Sequence, residues 1–252
     1  MTEGAPWKHI VNFMLPVLLG SLLQQLYNTV DTIVVGNFAS EEALSAVGTT
    51  GTFTFFFLAI AMGLSAGNGV VIAQYFGAGD EENVRSNAAT GILFLMILGV
   101  VAAALGVIFA RPAFKYLIAV PEEILPLTVQ YFVIYSVGLI FQYGYNIFSA
   151  ILRAVGDSNA TLYFLLISSV ANVLLDLLFV AVFKWGVVGA AVATVISQLG
   201  SLIAAYFYMT RKYPISYYIS VDVERHLHLF FYNKGDRRSD VIPIETYKML
   251  SF

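Results

Sequence analysis

Six stretches of this chain are almost free of charge, and each is long enough to cross a bilayer. They run over residues 10–38, 49–76, 88–110, 124–152, 162–183 and 185–209. About 20 apolar residues at a 1.5 Å rise cover a hydrocarbon layer of roughly 30 Å, so the pattern predicts six transmembrane helices. Asp31 and Asp176 are the only Asp, Glu, Lys or Arg inside them. The connections hold the charge and the helix breakers: Glu41 and Glu42 in the first, GAGDEENVRSN from Gly77 in the second, Pro112 and Pro121 in the third, and RAVGDSNA from Arg153 in the fourth. Lys184 alone separates the last two stretches, which predicts a tight helical hairpin.

Composition agrees with the pattern. The 252 residues are 59% hydrophobic and 12% charged, against about a quarter charged in a soluble domain. The expected class is all-α, a polytopic membrane protein. A net charge of -3 supplies no basic field, so nucleic acid is not an expected partner. With no cysteine there is neither a disulfide framework nor a thiolate metal site. His9, His226 and His228 fall near the ends. The first residues, MTEGAPWKHI, lack a basic region followed by a short apolar run, so no cleaved signal peptide is expected. Basic residues in short loops set orientation. An inner N-terminus puts Lys8, Arg85, Arg153, Arg211 and Lys212 inside, against Arg111, Lys115 and Lys184 outside. The expectation is therefore a multi-pass protein of the plasma membrane (the cell inner membrane) with a cytoplasmic N-terminus.

Residues 1–212 are read as one helical unit, and residues 213–252 as a charged tail. The last 42 residues hold seven of the 13 Lys and Arg and have no window of spanning length. Two readings compete: a tail lying on the membrane surface, or a truncated or altered reading frame. The second is the expectation.

The chemistry lies with the two intramembrane aspartates. A carboxylate at bilayer depth costs roughly 2.5–3.5 kcal/mol on insertion scales, so it is seldom there without a task. Asp31 and Asp176 each lie seven residues before the end of their stretch, at Phe38 and Phe183, or about 10 Å in from that end. Thr194, on the stretch running back, reaches about the same depth. Asn172 shares a face with Asp176 by i,i+4 spacing. Carboxylate, amide and hydroxyl oxygens suit a small hard cation. Two neighbouring carboxylates in low dielectric also repel when both are charged, which a proton relieves as well as a metal ion. Sodium and proton both remain open. The plain alternative for each residue is hydrogen bonding between helices.

Other polar positions are weaker candidates for a substrate-facing or supporting role. Gln24, Tyr27 and Asn28 continue a stripe that ends at Asp31; Asn68 sits among Gly63, Gly67 and Gly69; Gln130, Gln142 and Asn146 lie on the fourth stretch. The aromatic run Phe53–Phe57 is expected to face lipid.

Several stretches together carry a family resemblance. LLQQLYNTVDTIVVGNF after Pro16 with AVG at Ala46, AQYFGAGD at Ala73, ILRAVGDS at Ile151, NVLLD at Asn172 and WGVVGAAVAT at Trp185 occur in that order. The sequence resembles the first half of the multidrug and toxin extrusion (MATE) transporters, nearest the prokaryotic branch that includes DinF-like proteins. The resemblance covers about residues 8–220. It implies one six-helix lobe of an antiporter that exports drugs, organic cations or metabolites against sodium or protons. It implies no further cofactor, and it places the cation site on Asp31, Asn172, Asp176 and Thr194, which would be the metal ligands for sodium. The partners it implies are a small-molecule substrate, the bilayer, and a second lobe or a second copy of the chain. Family members have twelve helices, so a half-length form is expected. A non-transporting fragment and a flippase for lipid-linked sugars are the alternatives. An aspartyl intramembrane protease is not expected, because its YD and GxGD contexts are absent: Asp31 follows Val30 and Asp176 follows Leu175.

Overall fold

The fold is described here from a computed structural model, which covers residues 6–213, with the backbone alone at 6–13, 16, 17, 21 and 24–28. The charged stretch 214–252, with its two readings, lies outside the described residues. Six helices follow one another: α1 (Pro6–Phe38), α2 (Glu41–Ala78), α3 (Glu81–Pro112), α4 (Leu125–Ala154), α5 (Ser158–Asp176) and α6 (Gly186–Lys212). The described residues contain no strand. α3 and α5 each run on into a π-helical turn, Ala113–Leu117 and Leu177–Val182. Among the described residues, five helices, α2 to α6, are long and apolar enough to cross a membrane. α1, with 33 residues, occupies the place of the first expected span.

The helix starts are capped by polar loop residues. Ser40 accepts from the backbone of Ala43 at the start of α2, Asp80 from Asn83 at the start of α3, and Asp157 from Ala160 at the start of α5. Each satisfies a first-turn N–H that has no helical partner. Glycine precedes two of these caps: Gly79 (φ 73) and Gly156 (φ 90) take the left-handed conformation that turns the chain between helices. The α5–α6 hairpin turns on Lys184, also left-handed (φ 57), and the stacked rings of Phe179 and Trp185, 5.1 Å apart, close it.

α4 is the central helix and packs along α2, α3 and α6, while α1 lies mainly against α5, and α5 against α6. Close approaches at glycine allow this. Gly99 of α3 meets Tyr143 of α4, and Gly189 of α6 meets the backbone of Phe179. At the end of the bundle near Phe38 and Pro121, Phe53, Phe114 and Phe132 form an edge-to-face cluster, with centroids 5.1 to 5.9 Å apart. The aromatic run therefore divides. Phe55 and Phe56 are exposed as expected for lipid contact, whereas Phe53 and Phe57 pack into this cluster. A helical period cannot direct four rings within five residues to one side.

Candidate functional site

Where α1 meets α5, two carboxylates come together inside the bundle. Asp31 is 7% exposed and Asp176 is fully buried, and the two carboxylates are close enough to interact electrostatically. α5 supplies two of the polar groups because Asn172 and Asp176 are one helical turn apart and share its inward face. Asn172 is also fully buried. Thr194 is 3% exposed on α6, the helix packed on α5.

The buried polar atoms here are left without protein donors or acceptors. Among the described residues, Asp31 Oδ1, both oxygens of Asp176, and Oδ1 and Nδ2 of Asn172 have no hydrogen-bond donor or acceptor facing them. An unsatisfied buried polar group costs about 1–3 kcal/mol, and a charged one more. Five such atoms on three neighbouring side chains do not suit a role as interhelical glue, since glue requires mutual bonding. Oxygen-rich and short of donors, the cluster has the chemistry of a site for a small cation or a proton. Among the described residues no three His, Cys, Asp or Glu gather into a metal-binding group, so two carboxylates and the amide of Asn172 are what this position offers.

A second polar group lies beside the first. Tyr135 of α4 is within electrostatic reach of Asp31. Its hydroxyl donates to Gln142 Oε1 (3.1 Å), which also accepts from Gln198 Nε2 of α6 (3.4 Å). Gln142 thus bridges α4 and α6, while Asn146 donates to the Gln142 backbone on its own helix. Tyr135 and Gln198 were not evident from composition. The signal for Tyr135 was its seven-residue spacing to Gln142, which puts both on one face of α4.

The remaining candidates lie elsewhere. Asn68 donates to the backbone of Asn87 and rests against Gly91, inside the α2–α3 contact. Gln130 is exposed. The side chains of Gln24, Tyr27 and Asn28 lie outside the described residues. A shallow groove of about 430 Å³, lined by Phe164, Phe207, Tyr208, Arg211 and Lys212 among others, opens at the far end of α6 from Thr194.

Comparison with known proteins finds relatives for most of the chain. The MatE family model matches residues 16–178. The chain is 31% identical over 210 residues to the probable multidrug resistance protein YpnP of Bacillus subtilis, covering 83% of this chain and 47% of that protein. It is 27% identical over 217 residues to the multidrug export protein MepA of Staphylococcus saprophyticus, covering 84% and 47%. Among solved structures, a MATE protein crystallised in its bent conformation superposes with a TM-score of 0.78 at 29% identity, over 83% of this chain and 47% of that one. The chain spans about half the length of the curated relatives it matches.

Proposed function

The chain belongs to the MATE family of membrane transporters, and from that premise we propose that it forms one lobe of a cation-coupled exporter of organic, drug-like molecules. The observation that carries the reading is the carboxylate pair: Asp31 and Asp176 are buried side by side, with three carboxylate oxygens and both polar atoms of Asn172 lacking protein partners. Asp31, Asn172, Asp176 and Thr194 would hold the coupling ion, sodium or proton. Its arrival relieves the repulsion between the two carboxylates, and its departure restores it. Because α1 brings Asp31 and α5 brings Asp176, the same event draws these helices together or lets them part. That is how ion binding in this lobe would be felt on the α1 surface, where a substrate cleft would be built.

Names of relatives such as multidrug export protein support the substrate class. Relatives of about twice the length support a second six-helix lobe as partner. The weak excess of basic loop residues on the side of Lys8, Arg153 and Lys212 supports a cytoplasmic N-terminus.

The test is efflux of a fluorescent organic cation from cells, with membrane abundance measured in parallel. Asp31→Asn, made in the chain joined to its second lobe, is expected to abolish ion-dependent efflux while insertion stays normal. Undiminished efflux from that variant at equal abundance would sink the assignment.

A further inference from the structure

Polar side chains continue from the carboxylate pair toward the opposite end of the bundle. On α4, Tyr135, Gln142 and Ser149 recur every seven residues, with Asn146 and Arg153 at the intervening turns of the same stripe. On α6, Thr194, Ser197, Gln198 and Ser201 face inward in succession. The stripe is buried: Tyr135 is 9% exposed, Gln142 8%, Ser149 3% and Ser201 8%. Its bonds run down both helices. Gln142 joins Tyr135 to Gln198, and the Ser197 carbonyl accepts from Ser168 and Ser201. At the lower end Tyr145 donates to the Thr161 carbonyl of α5, and Arg153 Nη1 donates to Ser149 Oγ (2.6 Å).

This stripe is not saturated by the protein. Gln198 Oε1 and Ser197 Oγ are buried and have no hydrogen-bond partner among the described residues. Interhelical hydrogen bonds in membranes contribute on average only about 0.6 kcal/mol, while an unmet buried acceptor costs about 1–3 kcal/mol. Helix association alone would therefore be better served by alanine or leucine at these positions. A buried water needs two to four polar neighbours, and the α4–α6 seam supplies them at successive turns.

We infer that this seam is hydrated and is the route by which the carboxylate pair exchanges its ion with the solution at the Arg153–Lys212 end. Arg153 closes the route at its mouth through its bond to Ser149, and a fixed positive charge there opposes a cation until the side chain moves aside. The ion as cargo rests on the proposed cation coupling; the hydration of the seam does not.

The absence of cysteine from the sequence gives a clean background for testing this. Ser149→Cys and Ser201→Cys would each be placed in the chain, with Ser136→Cys as control. Ser136 is fully buried on α4 but bonds the Phe132 carbonyl and packs against Gly106 of α3, away from the seam. The probe is a membrane-impermeant cationic methanethiosulfonate applied to inverted and to right-side-out vesicles. Rates are normalised to labelling after denaturation.

Both seam cysteines are expected to react at least tenfold faster than the control, and from the Arg153 side only. Rates equal to the control at both positions would overturn the route. Gln142→Leu combined with Gln198→Leu should slow efflux severalfold without moving the half-saturating ion concentration; an unslowed double variant would also overturn it. If the cysteines react as expected but Asp31→Asn still exports, the seam is hydrated yet carries no coupling ion. The cation reading then fails, and the route's stated role fails with it. If the cysteines do not react but Asp31→Asn is inactive, the cation site stands and the route alone falls.

Discussion

Asp157, in the loop between α4 and α5, has the donors that the intramembrane carboxylates lack. Its Oδ1 caps α5 by accepting from Ala160, and its Oδ2 accepts from Lys212 Nζ (2.7 Å), Tyr208 OH (2.8 Å) and Tyr213 OH (3.0 Å). Burial alone would raise this carboxyl, but the bonds from Lys212, Tyr208 and Tyr213 hold it below the ordinary value of 3.8. A depressed carboxyl stabilises the fold above its unfolded value, and that contribution is lost as pH falls through the lower, folded value. Asp157→Ala is therefore expected to cost about 1–3 kcal/mol at neutral pH through the lost cap and charge-assisted bonds. The gap between variant and parent should close only below about pH 4. Thermal unfolding in detergent at pH 7 and pH 3 checks both; a gap that stays constant would show that the ionised form is not what matters. The cap was foreshadowed by the Gly–Asp pair at Gly156, since a left-handed glycine before an acidic cap marks one helix ending and the next beginning. The three donors were not, because Tyr208, Lys212 and Tyr213 lie some fifty residues away, at the end of α6 and just beyond it. Asp31 and Asp176 stood out for the opposite reason: an acidic residue in a charge-free window is conspicuous without knowledge of its neighbours. Tyr135 and Gln198 did not stand out, since neutral polar groups are common in membrane helices and only their shared partner, Gln142, reveals them.

At the level of helices, the order of the elements was legible because bilayer thickness imposes a minimum apolar length, and five of the six expected spans are long and apolar enough among the described residues. The starts were not. α2 begins at Glu41 and α3 at Glu81, well before their apolar windows at 49 and 88, because capped, acidic first turns favour helix outside the hydrocarbon. The π-helical turns ending α3 and α5 were also invisible: they arise where the chain must reverse within a few residues at Ala119 and Lys184, both left-handed (φ 55 and 57). α6 shows how packing decides what a glycine does. A Cβ at Gly189 would lie 3.0 Å from the backbone carbon of Phe179, which cannot yield without opening the α5–α6 hairpin. A Cβ at Gly200 meets nothing within 4 Å. Gly189→Ala should destabilise by about 1–3 kcal/mol through overpacking. Gly200→Ala should be neutral or stabilising by up to about 1 kcal/mol, from helix propensity. Unfolding midpoints in detergent for the two variants test this, and a shift of the same sign in both would mean the hairpin contact is softer than its geometry.

For the molecule as a whole, the proposed second lobe needs a face of the bundle to pack on, and α2 offers one. Only 17% of its most apolar window is buried, as in α5 and against 44% for α4 and α6, so most of its surface faces outward. Lipid would be met equally well by leucine or valine there. Instead Gly48, Gly51, Gly63, Gly67 and Gly77 have nothing among the described residues within 4 Å of where a Cβ would stand. Small residues on an exposed helical face allow a second helix to approach closely, which lipid does not require. The chain also spans about half of its relatives' length, which agrees with a second bundle beside this one. Gly63→Leu with Gly67→Leu should therefore leave the melting temperature of the chain on its own unchanged, because no neighbour within it is displaced. In the chain joined to its second lobe, the same pair should reduce efflux severalfold at equal membrane abundance. Paired measurements of melting and efflux distinguish the cases. Full efflux would assign this face to lipid and move the lobe contact to another helix, whereas a lowered melting temperature in the chain alone would mean that α2 is packed more tightly than its open glycines indicate.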